Sequence, residues 1–152
     1  MKQNKKLFWL VTAISLVISV ISTFIIETYL TKNINIVGSF ISLHASQNRG
    51  VAFGINMGTL QPILIAFALC FAFYIALKHA SSILDCIGFG LIIGGGIANI
   101  IDRIQDSTVT DVFKVGSFPI FNVADSCITV GVCLLLIQMF IGSNRIFNKS
   151  KV

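Results

Sequence analysis

The stretch PIFNVADSCITVGVCLLLIQMF, Pro119 to Phe140, begins as a turn and ends as an apolar run. Pro119 and Asn122 break regular structure, and from Ser126 onward the side chains suit hydrocarbon. Asp125 stands at the doorway between the two, although a carboxylate at the centre of a membrane helix costs roughly 2.5 to 3.5 kcal/mol on insertion scales. The segment therefore reads as a membrane span with an acid at its entrance. Asp directly before an apolar helix can cap it and complement its positive end. It can equally serve chemistry at the membrane surface, and the other carboxylates decide between the two.

The composition supports a membrane setting. Of 152 residues, 55% are hydrophobic and only 11% charged, outside the range of ordinary soluble domains. A helix needs about 20 apolar residues to cross a bilayer core. Four runs approach that length, at residues 7–26, 60–77, 83–101 and 126–141, the last being the shortest. The first follows Lys2, Lys5 and Lys6, as a secretory leader would. Its apolar part is longer than such a leader has, and no clear small-x-small site follows it, so it reads as a retained span.

Four spans place both termini on one side. Lys2, Lys5, Lys6, Lys78, Arg145, Lys149 and Lys151 fall on that side, against Lys32, Arg49, Arg103 and Lys114 on the other. The positive-inside rule then puts the termini in the cytoplasm. The net charge of +5 is mostly this topology signal, so nucleic-acid binding is not expected. Acids are distributed the opposite way: Glu27, Asp102, Asp106, Asp111 and Asp125 lie on or near the outer side, and Asp85 near the inner one. The chemistry is expected to face outward.

No linker or repeat divides the chain, and a single domain over residues 1–152 is expected, an all-α bundle of four transmembrane helices with a small extracytoplasmic β element and loop. In the first outward excursion, Ile34 and Ile36, then Ile41, Leu43 and Ala45, alternate with polar residues on either side of Gly38-Ser39, which predicts a hairpin with one apolar face. Thr59 suits a helix N-cap, with Pro62 in the first turn. The second excursion contains VTDVF, another strand-like piece. Gly88, Gly90 and Gly94-Gly95-Gly96 in the third run predict close helix packing.

Metal chemistry has little support, since Cys70, Cys86, Cys127 and Cys133 lack close CxxC spacing and His44 and His79 fall on opposite sides. Serine chemistry has Ser126, Ser107 and Ser117, but a serine nucleophile needs a positioned base, and only His44 and Lys114 are on that side. Carboxylates are better placed, because Asp102, Asp111 and Asp125 emerge from one short excursion. Two carboxylates about 3 Å apart cannot both ionise comfortably, so one retains a proton. An aspartic peptidase uses that state: the ionised acid takes a proton from water and the protonated one hydrogen-bonds the scissile carbonyl. Arg103 beside Asp102 is expected to hold and orient that acid, whereas Val109, Val112 and Phe113 flank Asp111 and favour its protonated form. Asp111 and Asp125 are therefore the expected pair, with Asp102 in support.

Four blocks, NRGVAFG (Asn48–Gly54), GGGIANIIDR (Gly94–Arg103), VTDVF (Val109–Phe113) and FNVADS (Phe121–Ser126), resemble those of the lipoprotein signal peptidases (signal peptidase II), aspartic peptidases of the bacterial inner membrane. The resemblance implies four transmembrane helices, a β cradle and a mobile helical loop on the outer side. It implies removal of the signal peptide from prolipoproteins, just before a cysteine carrying diacylglycerol, with no metal or organic cofactor. The implied catalytic pair falls on Asp111 and Asp125, and Asn48, Gly50, Asn99, Asp102, Arg103 and Asn122 fall on positions that hold substrate, pair or loop. Partners are then prolipoproteins and membrane lipids, with the enzyme expected as a monomer. The chain departs from the family's pattern at Thr28, where an Asp is usual, and at Ala98 and Ser107, where Gly is usual. Glu27 lies one residue early, about 100° round a helix. A relative that binds precursors without cutting them is the alternative, and a small proton-coupled transporter a more distant one.

Overall fold

The computed structural model describes residues 2–50, 60–80 and 82–149. Seven elements follow in order: α1 (Lys2–Tyr29), β1 (Ile34–Val37), β2 (Ile41–Asn48), α2 (Leu60–His79), α3 (Ile83–Asp106), β3 (Val109–Val115) and α4 (Val123–Lys149). Among the described residues three segments are long and apolar enough to cross a membrane, Lys5–Tyr29, Ile83–Asp106 and Val123–Ile141, and Ile63–His79 is a shorter apolar helix. The predicted cap at Thr59 and the residues 51–54 of the first sequence block lie outside the described residues.

α3 is the central helix. Half of its span is buried inside the protein, against 17% for the α1 span and 11% for the α4 span. Its glycines explain why. A methyl group at Gly94 would fall on the Ser15 hydroxyl and within 2.5 Å of the Thr12 carbonyl oxygen, so α1 lies directly on the α3 backbone. One at Gly95 would come within 2.6 Å of the Ala124 carbonyl oxygen, and one at Gly96 would strike Leu69. Successive glycines thus admit α1, α4 and α2 on three sides. In a bilayer, where apolar burial gives helices no preference for one another over lipid, this close approach supplies the association energy. Ser15 adds a polar contact, its hydroxyl lying 3.3 Å from the Gly90 carbonyl oxygen.

Both ends of α3 are set locally. Ser82 accepts from the Asp85 N–H at 3.0 Å while the Asp85 carboxylate accepts from the Ser82 N–H at 2.9 Å, a reciprocal capping box. At the other end Ser107 takes the left-handed conformation, φ +66°, its N–H donating to the Arg103 carbonyl. Glycine is the usual residue there because a side chain costs about 1–2 kcal/mol in that region.

The strands form one antiparallel sheet in the order β1-β2-β3. The expected hairpin is present, its turn carrying Gly38 at φ +52°. Ile34, Ile36 and Val37 are exposed, each by more than half, so β1 presents apolar surface outward. Ser46, Gln47 and Asn48 face Asp111, Thr110 and Val109 across the β2–β3 ladder. The fourth helix begins at Val123, three residues before the expected span, which places Asp125 inside its first turn.

Two substitutions test these constraints by thermal unfolding in detergent. Gly94→Ala is expected to destabilise by about 1–3 kcal/mol through overpacking against backbone, and Ser107→Gly to stabilise by up to about 1 kcal/mol by relieving the left-handed residue.

Candidate active site

The site forms where β3 meets the C-terminal end of α3 and the N-terminal end of α4. Asn122 sits at the N-cap of α4: its side-chain oxygen accepts from the Asp125 N–H at 2.7 Å, and the Asp125 carboxylate lies 3.4 Å from the Asn122 N–H. Asp125 therefore does cap its helix, from the third position of a reciprocal box. Its carboxylate also reaches out of the cap, accepting from the Asn99 side-chain amide of α3 at 2.8 Å.

The Asn122 amide nitrogen donates toward two acceptors, the Asp111 carboxylate and the Asn99 side-chain oxygen, each at 3.1 Å. A second donor to Asp111 comes from Asn48 at 2.9 Å, and the Asn48 oxygen in turn accepts from the Gly50 N–H at 2.8 Å. The expected pair is thus brought into one network, joined through Asn122 and Asn99. Amides suit this work because each both donates and accepts. Arg103 spans the site's edge, donating to the Gly50 carbonyl at 2.8 Å and the Asn99 carbonyl at 3.3 Å.

Asp111, Asp125, Asn48, Asn99 and Arg103 line a common cavity of about 630 Å³, whose far wall is apolar and includes Phe118, Ile120, Phe121, Ile128 and Val130. Asp111 is only 2% exposed. Burial raises its pKa from 3.8 to about 6; the Asn48 bond opposes the rise, the Asp125 charge adds to it, and Arg103 and Asn122 oppose it. The pressure toward protonation expected from its apolar neighbours is present.

Asp102 is placed differently from the expectation. Adjacent residues on a helix point about 100° apart, and Asp102 turns away from Arg103 to accept from the Thr110 N–H at 2.8 Å. It holds β3 from behind, outside the cavity. Ser126 does line the cavity, but its hydroxyl bonds the Asn122 carbonyl at 2.9 Å, and neither His44 nor Lys114 reaches the cavity wall. Among the described residues no group of three or more His, Cys, Asp or Glu is placed to hold a metal ion.

The signal peptidase II family pattern matches residues 5–141. The chain belongs to the signal peptidase II family. Similar members include a lipoprotein signal peptidase of Chlorobium phaeobacteroides, 32% identical, with 95% of this chain and 99% of that one covered. One of Dehalococcoides mccartyi is 36% identical over 90% of this chain and 91% of its own. A solved bacterial membrane enzyme superposes with a TM-score of 0.81 at 26% identity, covering 90% of this chain and 88% of that one. Signal peptidase II members are aspartic endopeptidases, and this one is a multi-pass membrane protein.

Sequence reasoning missed Thr110 and Gln47, and set Glu27 aside because it lies one residue before the position where an Asp is usual. The Thr110 hydroxyl donates to the Glu27 carboxylate at 2.6 Å and lies 3.3 Å from the Gln47 amide nitrogen. Alternation within β3 was the available signal, since residues on either side of Asp111 must face the other way.

A raised folded-state carboxyl pKa contributes stability that is fully present below the unfolded value and is lost as pH rises through the folded one. Thermal stability in detergent is accordingly expected to decline between pH 3.8 and somewhat above about 6. Asp111→Asn is expected to remove up to about 3 kcal/mol of that decline, measured by melting the two proteins across the same pH series.

Proposed function

We propose that this chain removes signal peptides from lipoprotein precursors, cleaving before a diacylglyceryl-modified cysteine, with Asp111 and Asp125 as the aspartic pair. The supporting observation is that both acids line one cavity and share an amide bridge, while Asp111 is pushed toward its protonated form. In this reading Asp111 keeps the proton and hydrogen-bonds the scissile carbonyl, polarising it. Asp125, at the positive end of α4, accepts a proton from the attacking water. The resulting hydroxide adds to the carbonyl carbon, and collapse of the tetrahedral species releases the amine after it gains a proton from the pair.

Asn48, Asn99 and Asn122 hold the two carboxylates in register, and Arg103 with Gly50 fixes the rim over which the peptide would lie. The apolar wall of the cavity suits the hydrophobic residues of a signal peptide and the base of an acyl chain. The basic bias of the termini favours cytoplasmic ends and an outward site, in a bacterial inner membrane. One chain supplies every residue of the network, which favours a working monomer.

Asp111→Asn and Asp125→Asn are each expected to cut precursor processing by at least about 100-fold without loss of membrane insertion. Immunoblots that separate precursor from mature lipoprotein measure it; normal processing by either well-inserted variant rejects the assignment.

A further inference from the structure

β3 presents opposite chemistry on its two faces. Val109 and Asp111 line the cavity. Thr110 and, just before the strand, Thr108 are buried, 2% and 7% exposed, and neither lines the cavity. Thr110 is held from three directions: its N–H by Asp102 of α3, its hydroxyl by Glu27 of α1, and that same oxygen by the Gln47 amide of β2. One residue pair along, the Thr108 N–H and hydroxyl both reach the Asp106 carboxylate, at 2.9 and 2.7 Å, and the Thr108 hydroxyl also contacts the Gln47 side-chain oxygen. The strand that carries Asp111 is therefore pinned from behind by acids from the ends of two helices.

We propose that Glu27 and Thr110 are positioning residues of the peptidase reaction, locking β3 so that Asp111 holds its place opposite Asp125. The inference rests on the assignment of Asp111 and Asp125 above. Thr110 and Asp111 share a peptide unit, so a rotation or shift of Thr110 is passed directly to the Asp111 backbone. The 2.6 Å contact with Glu27 is the shorter of the two that fix the Thr110 side chain, the Gln47 amide nitrogen lying at 3.3 Å. Glu27 comes from the last turn of α1, the helix that α3 admits through Gly94. Close packing of α1 on α3 thus sets where the Glu27 carboxylate stands, and the carboxylate sets the strand.

Loosening this clamp would let water reach Asp111. The groups facing Asp111 are Asp125 from α4, Arg103 from α3, Asn48 from β2 and Asn122 at the α4 cap. None of these is altered by substitution at Thr110 or Glu27, so a change in Asp111 titration reports the strand's position.

The test uses the full chain in detergent with a peptide carrying a diacylglyceryl cysteine, and compares Thr110→Val and Glu27→Ala with Thr110→Ser and Glu27→Gln. Misplacement near 1 Å can cost about 100-fold, so the first two are expected to lose roughly 10- to 100-fold in kcat with KM little changed. Their alkaline limb of activity is expected to move to lower pH as Asp111 gains solvent. The conservative pair, which keep a hydroxyl donor or an amide oxygen acceptor, are expected to recover most of the rate. Unchanged kcat and pH profile in Thr110→Val and Glu27→Ala overturn the proposal. So does a loss that tracks the folded fraction, read from the melting curve, with the pH profile unmoved. Asp111→Asn in the same assay separates the levels: activity there removes the catalytic assignment itself, whereas its loss beside normal Thr110→Val removes only the clamp.

Discussion

The side chain of Asn122 is the junction on which this structure depends. Its oxygen starts α4 by accepting from the Asp125 N–H, and its nitrogen reaches Asp111 on β3 and Asn99 on α3. Three elements distant in sequence meet at one amide. At 4% exposure it has no water to fall back on, and a buried polar group left unpaired costs about 1–3 kcal/mol. An element missing from this junction would leave that cost unrelieved. The acid at the entrance of the last span is explained by the same contact: it is tolerated because the helix start and the Asn99 amide satisfy it, and it is available because one face of that arrangement opens on a cavity.

Around this junction the bundle is assembled by absence of side chains. Gly94, Gly95 and Gly96 let three helices approach the α3 backbone from three directions, and two of those approaches have a consequence at the site. Contact with α1 delivers Glu27, contact with α4 delivers Asp125, and α3 itself carries Asn99, Asp102 and Arg103. Through α1 and α4 the glycines of one helix thus set where the acids of the other two stand.

Much of this was legible in the sequence because it rests on local signals. Long apolar runs, the Gly38-Ser39 turn, the alternation of VTDVF and the triple glycine each report a short-range constraint, and each corresponds to an element or contact of the structure. The aspartates and asparagines of the site were identifiable as chemistry-bearing residues, and the network gathers them. What could not be read were relations that depend on direction. Arg103 follows Asp102 immediately, yet the helix sends one toward β3 and the other over the cavity rim. Thr110 looks like an ordinary strand residue until the face it occupies is known, and Glu27 looks misplaced until α1 is seated against α3. The start of α4 was also set late, because Asn122 and Asp125 act as its cap and cap-box partner instead of its preceding loop.

The double duty of Asn122 carries a consequence for how such a protein can change over time. In most enzymes, residues that let the chain fold and residues that do the chemistry are separate sets, and drift in one can be tolerated by reserve in the other. Here Asn122 both starts a membrane helix and bonds Asp111 and Asn99, so its loss disturbs the helix start and the acid network together.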